Sequence, residues 1–469
     1  MPDVPPLWTS AEIEAATGGR LAGRPFEAHG ITYNSREIAP GDLFLALQGA
    51  RDGHDFAAAA FAAGATGAIA ERAVEGGPAV VTADTLRALE ALGAAARDRT
   101  PALRGAVTGS VGKTSVTQAI KAGLDLAGPA HASIKSYNNQ IGVPLTLARM
   151  PQATQRAVFE IGMNAPGEIA PLSRQVRPHA ACVTTVGPVH IEAFIDGEAG
   201  VAAEKAAIFE GLFEGGLAVF NADVAYASVL AEAARRSGAR PATFGSGAAC
   251  DARLMDFLPD EQGATVRAEL RGRALEFRLA QSGFHWGLNS LCVLLMLEAL
   301  DVRTDTALAA LADFRPLAGR GQTAVIHGPG GAFTLIDESY NANPLSMAAG
   351  FRSLGAKPVG QGGRRVVVLT DMLELGDQSQ ALHEGLAGPI DAAGLDLVHA
   401  AGPEMKRLYD SLPTSRQGLW RETAAELADE AAMLAGPGDI VMVKGSNGSK
   451  ASMVAKALAA LGEAPHAKG

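Results

Sequence analysis

Cysteine is scarce in this chain, with three residues in 469: Cys182, Cys250 and Cys292. Their odd number and wide spacing exclude a disulfide framework and a zinc site of the usual spacing, which fits a reducing compartment. Long apolar runs are missing too. The most apolar stretch near the N-terminus, residues 56–70, is rich in Ala and Gly and too short to cross a bilayer. Met1-Pro2-Asp3-Val4-Pro5-Pro6 lacks the basic start and apolar core of a secretory signal. Positive charge is not in excess either. The formal net charge of −10 argues against a nucleic-acid partner or an anionic membrane surface, while leaving room for a local basic pocket. A complete G-x-G-x-x-G, an internal repeat, a low-complexity linker and the Asn-Lys-x-Asp guanine reader of GTPases do not occur. The expectation is a cytoplasmic protein with no membrane insertion and no nucleic acid among its partners.

What is present is apolar bulk in alternating pieces. Hydrophobic residues make up 48% of the chain, enough for large cores. Its length suggests about three domains at roughly 150 residues each. Composition shifts at Pro101 and at Phe314-Arg315-Pro316 divide it into 1–100, 101–316 and 317–469. In the first part Thr9-Ser10-Ala11-Glu12 fits a capping box that starts a helix. A strand from residue 30 runs into the turn Asn34-Ser35-Arg36, residues 42–47 read as a second strand, and 56–64 as a helix. Ser35 and Arg36 at a strand end suit an anionic ligand or a solvated turn equally well.

From residue 101 strands and helices alternate as in a parallel α/β sheet. Residues 250–280 alternate polar and apolar, an antiparallel ribbon, and 287–300 form an apolar helix. After residue 317 a fresh α/β series begins with Phe333-Thr334-Leu335-Ile336-Asp337. Asn343 and Pro344 mark a helix start as N-cap and first helical residue. The strand Ile440-Val441-Met442-Val443 ends in Lys444-Gly445-Ser446-Asn447-Gly448-Ser449-Lys450, a turn that suits an anion but needs none.

The stretch with the most chemistry is Val107-Thr108-Gly109-Ser110-Val111-Gly112-Lys113-Thr114-Ser115. A short apolar run enters it and a helical pattern leaves it, so backbone N–H groups and a helix N-terminus face an anion. Lys113 supplies a point charge for the outer phosphates of a nucleotide, and the Thr114 hydroxyl a Mg²⁺ position. The standard G-x-x-x-x-G-K-S/T pattern needs glycine where Val107 stands. Glu160 and His190 follow apolar strands whose carboxyl ends point to the same sheet edge as Lys113. A carboxylate ending a buried strand is costly unless paired or bound to a cation. Lys205, on a helical segment, reads by composition as a surface lysine.

Residues 108–115 resemble the ATP loop of the Mur ligase family, whose glycine spacing is shortened in the same way; this accounts for Val107. The resemblance covers nearly the whole chain. Asn34-Ser35-Arg36, Pro40-Gly41-Asp42-Leu43-Phe44 and Arg51-Asp52-Gly53-His54-Asp55-Phe56 resemble the family's uridine-nucleotide segments. Asn138-Asn139-Gln140-Ile141-Gly142-Val143-Pro144-Leu145 resembles its substrate loop. Glu160-Ile161-Gly162-Met163-Asn164 and Gly187-Pro188-Val189-His190 resemble its two magnesium segments, and Glu204-Lys205 the position of a lysine carbamylated in relatives. The run 337–344, with Tyr340-Asn341-Ala342-Asn343-Pro344, favours the branch that adds a D-alanyl dipeptide. Trp286 stands where Asn commonly follows His, and Asn447 and Lys450 stand where relatives often carry arginine.

The resemblance implies an α/β protein of three domains. These are a small N-terminal α/β uridine-nucleotide-binding domain, a central P-loop ATPase-like mostly parallel sheet, and a C-terminal Rossmann-like α/β domain. It implies ATP-dependent amide bond formation through an acyl phosphate, with ATP and Mg²⁺ as cofactors. The partners implied are UDP-N-acetylmuramoyl-tripeptide and D-alanyl-D-alanine, taken by a monomer. Gly109, Ser110, Val111, Gly112, Lys113, Thr114 and Ser115 then hold the phosphates, with Asn289 at the adenine, Arg320 at the phosphates and Asp337 also on the nucleotide. Ser35, Arg36, Asn138, Asn139, Tyr340, Asn341 and Asn343 become substrate contacts. Thr114, Glu160, His190 and a carbamylated Lys205 become metal ligands, and Lys113, Lys205 and His190 catalytic. Histidine is an unusual Mg²⁺ ligand, so His190 rests on the resemblance alone. Two rivals stand beside this reading: a folylpolyglutamate synthetase-like ligase, and a non-catalytic nucleotide switch.

Overall fold

The computed structural model describes residues 5–134, 136–189, 191–260, 262–315, 317–328 and 330–462, and three mostly parallel sheets organise them. In the first, Arg20–Ala22, Ala79–Val81, Gly67–Ala70, Asp42–Leu45 and Gly30–Thr32 lie side by side, antiparallel only at the first pairing. Thr9 caps the helix Ser10–Thr17 in a full capping box with Glu12, as its sequence suggests. The helix expected over 56–64 is divided. Asp52 accepts the His54 amide and starts a 3-10 turn, Gly53–Phe56, which hands over to the α-helix Ala57–Ala62.

The helix Thr85–Asp98 joins this unit to the next. Leu89, Leu92 and Ala96 share one core with Leu145 and Ala148 of the central helix Gly142–Ala148. Trp8 Nε1 donates to the Ala148 carbonyl at 2.8 Å, and Arg149 Nε donates to the Ile31 carbonyl at 2.6 Å. Apolar burial and satisfied polar groups thus cross the same seam.

The central sheet has nine strands. Its parallel part places Leu103–Thr108 between Arg156–Glu160 and Ala180–Val183. The far edge is the antiparallel ribbon Ala252–Asp260, Gly263–Leu270 and Arg273–Leu279, as the alternation over 250–280 suggests. The apolar helix His285–Ala299 covers one face within a core that includes Val107, Cys182 and Val219. A second core, with Phe159, Ala181 and Phe220, covers the other. Alternate residues of one strand feed opposite cores because strand side chains alternate in direction. Strands buried on both faces therefore read as unbroken apolar runs.

The third sheet runs Gln322–Gly328, Gly331–Glu338, Ile440–Lys444, Arg365–Thr370, Leu397–Ala401, Gln417–Arg421, antiparallel only at its first pairing. Asn343 caps the helix Pro344–Gly355 by accepting the Ser346 amide at 2.9 Å. Among the described residues no helix is long and apolar enough to cross a membrane. The carboxyl ends of the central and third sheets face each other, and the site lies between them.

Candidate active site

The strand Leu103–Thr108 delivers the chain to the loop, and the helix Lys113–Ala127 takes it away. Gly109 has φ +150°, and a Cβ there would collide with the Thr184 side chain. Gly112, at φ +88°, sits at the helix N-cap in a conformation that favours glycine. The loop is braced from the neighbouring strand end. Thr184 Oγ1 donates to the Val111 carbonyl at 2.6 Å, and the Gly187 amide donates to Ser110 Oγ at 3.0 Å. The helix N-terminus, with its positive dipole end, is thereby aimed into the cleft. Lys113 Nζ folds back to the Gly109 carbonyl at 2.8 Å. Burial lowers its pKa from the ordinary lysine value; Glu160 opposes this and Arg320 adds to it.

Glu160 ends the adjacent strand, in register with Val107, and is only 1% exposed. Oε1 accepts the Asn138 amide group at 2.7 Å, while Oε2 has no hydrogen-bond partner among the described residues. A buried carboxylate oxygen without a hydrogen-bond donor is costly, and a cation beside it would offset that cost. Thr114 Oγ1, which lines the same cleft, is 3.3 Å from Ser136 Oγ. Mg²⁺ characteristically takes one or two carboxylates together with hydroxyl, water and phosphate oxygens, so this donor set fits it. Among the described residues no group of three or more His, Cys, Asp or Glu side chains gathers to form a protein-only metal cage. His190 lies outside the described residues.

Lys205 is not the surface lysine its composition suggests. It is 2% exposed, on the inward face of Glu198–Ala206, with Nζ 3.9 Å from Met163 Sδ. Burial holds its pKa well below the ordinary lysine value, and the nearby positive charge of Lys113 adds to that. Glu204 does not neutralise it by direct contact: its carboxylate accepts the amides of Gly167 and Ile169, each at 2.7 Å.

The opposite wall comes from the third sheet. The Arg320 guanidinium lies 3.8 Å over the Tyr340 ring, and Tyr340 OH is 2.9 Å from Ser136 Oγ. Ser136 also receives Arg320 at 3.4 Å. A chain of hydroxyls therefore runs from Thr114 through Ser136 to Tyr340 and bridges the two sheets. Deeper in this wall, Lys444 Nζ donates to Glu338 Oε2 at 3.1 Å and to the Asn341 carbonyl at 3.2 Å.

Between these walls lies a cleft of about 600 Å³. It brings together Ser110, Val111, Gly112, Lys113, Thr114, Ser115, Asn138, Asn139, Glu160, Asn289, Arg320, Tyr340, Asn341 and Asn343. Two of these have local work as well: Asn139 Oδ1 accepts the Gly142 amide, and Asn343 is the N-cap already described. Gly109 and Lys205 lie behind the lining. Asp337 is also absent from it, its carboxylate accepting the Ser339 amide at 3.1 Å; the next residue, Glu338, lines the cleft instead. Ser35 and Arg36 sit apart in an Asx turn, where Asn34 Oδ1 accepts the Arg36 amide. Sequence reasoning gave no individual role to Ser136, Glu338, Arg352 or Lys444, although all four line the cleft.

A glycine phosphate loop on one parallel sheet, closed by charged groups from a second, defines a nucleotide-using enzyme of three α/β units. Family models agree. Residues 27–106 match the Mur ligase family catalytic domain, 107–297 the Mur ligase middle domain, and 319–447 the Mur ligase glutamate ligase domain. The chain belongs to the Mur ligase family. It is 30% identical to the UDP-N-acetylmuramoyl-tripeptide–D-alanyl-D-alanine ligase of Rickettsia prowazekii, covering 95% of this chain and 98% of that one. It is 34% identical to the ligase of the same name from Escherichia coli, over 84% of this chain and 86% of that one. The crystal structure of MurF from Acinetobacter baumannii superposes with a TM-score of 0.84 at 27% identity, covering 97% of this chain and 99% of that one.

Proposed function

We propose that this chain joins D-alanyl-D-alanine to UDP-N-acetylmuramoyl-tripeptide in the cytoplasm, using ATP and an acyl-phosphate intermediate, and that it works as a single chain. The observation that carries the reading is the cleft itself, where the Lys113 loop, the orphaned Glu160 oxygen and the Arg320–Tyr340 stack converge.

A carboxylate is a poor acyl donor because oxide is its leaving group. A carboxylate oxygen of the tripeptide attacks the γ-phosphorus, the bond to the bridging oxygen breaks, and ADP departs. The dipeptide amine then attacks the acyl carbon, the C–O bond to phosphate breaks, and the amine loses a proton as inorganic phosphate leaves. Phosphoryl transfer is mostly positioning and charge neutralisation. Lys113 leaves the Gly109 carbonyl to meet the phosphates, the loop amides cradle them, and Arg320 approaches from the other sheet. Asn289, beside Gly112, takes the adenine side. Thr114 and Glu160, together with His190 and a carbamylated Lys205, would hold Mg²⁺, which when bound neutralises charge on the phosphoryl group. Carbamylation requires a neutral amine, and burial shifts Lys205 toward that form. Asn138 orients Glu160, and the third sheet, closing over the cleft, keeps water from the acyl phosphate. Ser35 and Arg36, in the N-terminal unit, contact the nucleotide end of the substrate.

Phosphate release from ATP tests the reading. Release should require both the muramoyl tripeptide and D-alanyl-D-alanine, with amide product in equal amount. Release dependent on folate and glutamate would select the folylpolyglutamate alternative. Nucleotide turnover indifferent to every acceptor would select a switch.

A further inference from the structure

One buried carboxylate lies behind the cleft lining, yet it fastens together two segments that carry the chemistry of the site. The chain leaving Glu160 turns through 161–168 into the helix Ile169–Val176. That helix starts without a cap of its own. Glu168 stands at its N-cap and makes no side-chain capping bond; its carboxylate accepts the Asn164 amide at 2.7 Å instead. The missing cap comes from 35 residues away. Glu204, buried on Glu198–Ala206, accepts the Gly167 amide through Oε2 and the Ile169 amide through Oε1. A carboxylate on two amides at a helix N-terminus makes charge-assisted bonds of the stronger kind.

Both ends of this clamp lead to Lys205. On one side, Lys205 is the next residue of the helix. On the other, the fastened loop carries Met163, whose Sδ is the contact of Lys205 Nζ at 3.9 Å. Met163, Asn164 and Glu168 line the cleft, and the loop begins at Glu160. Glu160 and Lys205 also both lie within electrostatic reach of Lys113. A Ser, Thr, Asp or Asn at position 168 would cap the helix locally. A cap drawn from the lysine's own helix does what a local cap does not: it fixes the spacing between the Glu160 loop and Lys205.

We propose that Glu204 is a positioning residue for the metal end of the cleft: it holds the loop after Glu160 against the helix of Lys205, so that the Glu160 carboxylate and the group on Lys205 reach one Mg²⁺. The inference rests on the ligase reading and on Lys205 as its carbamylated ligand. That modification joins the neutral amine to carbon dioxide: an N–C bond forms, one C=O electron pair moves to oxygen, and the amine proton passes to solvent.

Two variants break the clamp from opposite ends. Glu204→Gln removes the charge and keeps the shape, whereas Gly167→Ala keeps the charge and disturbs the φ of +86° that aims the amide. A Cβ at the exposed Gly167 meets nothing, and Ser173 still ties the two segments by donating to the Ile208 carbonyl. Circular dichroism should therefore show both variants folded. Each should raise the Mg²⁺ concentration for half-maximal ligation by about ten- to a hundredfold, the range for groups that orient metal ligands. The KM for the dipeptide should not change. The carbamate carbon, seen by ¹³C NMR in protein equilibrated with ¹³C-labelled bicarbonate, should fall in parallel. The double variant should be no worse than the more impaired single one, because both cut the same bonds. A variant that is merely less stable, with the wild-type Mg²⁺ requirement and carbamate signal, overturns the inference and leaves the ligase reading intact. So does a wild-type protein that ligates with no carbamate signal. A wild-type protein that forms no amide overturns both.

Discussion

The two walls of the cleft are built alike and bind differently. Each is the carboxyl edge of a parallel sheet. The central wall works through backbone: Gly109 and Gly112 clear space, Thr184 and Ser110 brace the turn, and a helix N-terminus supplies positive potential. Its loop lysine, Lys113, donates to a carbonyl of its own loop. The third-sheet wall works through side chains: a buried ion pair, a guanidinium stacked on a ring, and a hydroxyl reaching across. A backbone cradle suits phosphate in any nucleotide, whereas side chains can discriminate by charge and shape. Backbone and side-chain recognition are thus placed on opposite sides of one cleft.

Removing the lysine charge from the central wall should break that division most. Lys113→Ala is expected to lower amide formation by about a thousandfold or more, since a preorganised charge at a developing anion is the largest contribution such a site makes. Far-UV circular dichroism should be unchanged. Substantial residual ligation would mean that backbone donors alone suffice.

Next in size is the ion pair of the other wall. Lys444→Met leaves Glu338 without its partner and should cost roughly 3 kcal/mol in urea unfolding, toward the low end for a broken buried pair because Glu338 keeps some solvent contact. Adding Glu338→Gln should recover most of that loss. The pH dependence should change sign at this residue. In the wild type the Glu338 carboxyl titrates below its ordinary value of about 4.5, so its contribution is present above that pH and lost as pH falls through the folded value. In Lys444→Met burial acts with less opposition and raises the pKa. That contribution is then present at low pH and lost as pH rises. The gap between the two unfolding midpoints should therefore narrow from pH 7 to pH 4; a constant gap would show that Lys444 does not set the Glu338 charge.

The same contrast explains what could be read from sequence. The central wall is local. Strand, glycine turn, Gly-Lys-Thr and helix occupy one short stretch, and Glu160 ends the next apolar strand, so both stand out by pattern. The other wall is not local: Glu338 and Lys444 are 106 residues apart, and only the parallel register brings them together. Alternation along a strand is also hard to read, for Asp337 is the expected nucleotide contact while its neighbour Glu338 is the one of the two that lines the cleft. A one-residue step changes the face, and no local signal marks which face is inward. Lys205 is a similar case, because a Glu-Lys pair looks solvated until the packing around Met163 is known. The apolar strand that ends at Glu160 and Ile440-Val441-Met442-Val443, by contrast, were legible as strands because both faces are covered.

The hydroxyl chain that links the walls gives the smallest and most selective prediction. Tyr340→Phe keeps the ring under Arg320 and removes only the hydroxyl that meets Ser136 at 2.9 Å. A hydrogen bond between neutral groups is worth about 0.5–1.5 kcal/mol net, so a two- to tenfold change is the expected scale. If the bond forms only when the third sheet is closed over the cleft, the loss should appear in kcat/KM for the dipeptide and leave the ATP KM nearly unchanged. Ser136→Ala should cost more, because it cuts the contacts to Thr114, Tyr340 and Arg320 together. Equal effects of the two substitutions would reduce the chain to a single bond at Tyr340, and the central wall would then carry no trace of closure by its partner.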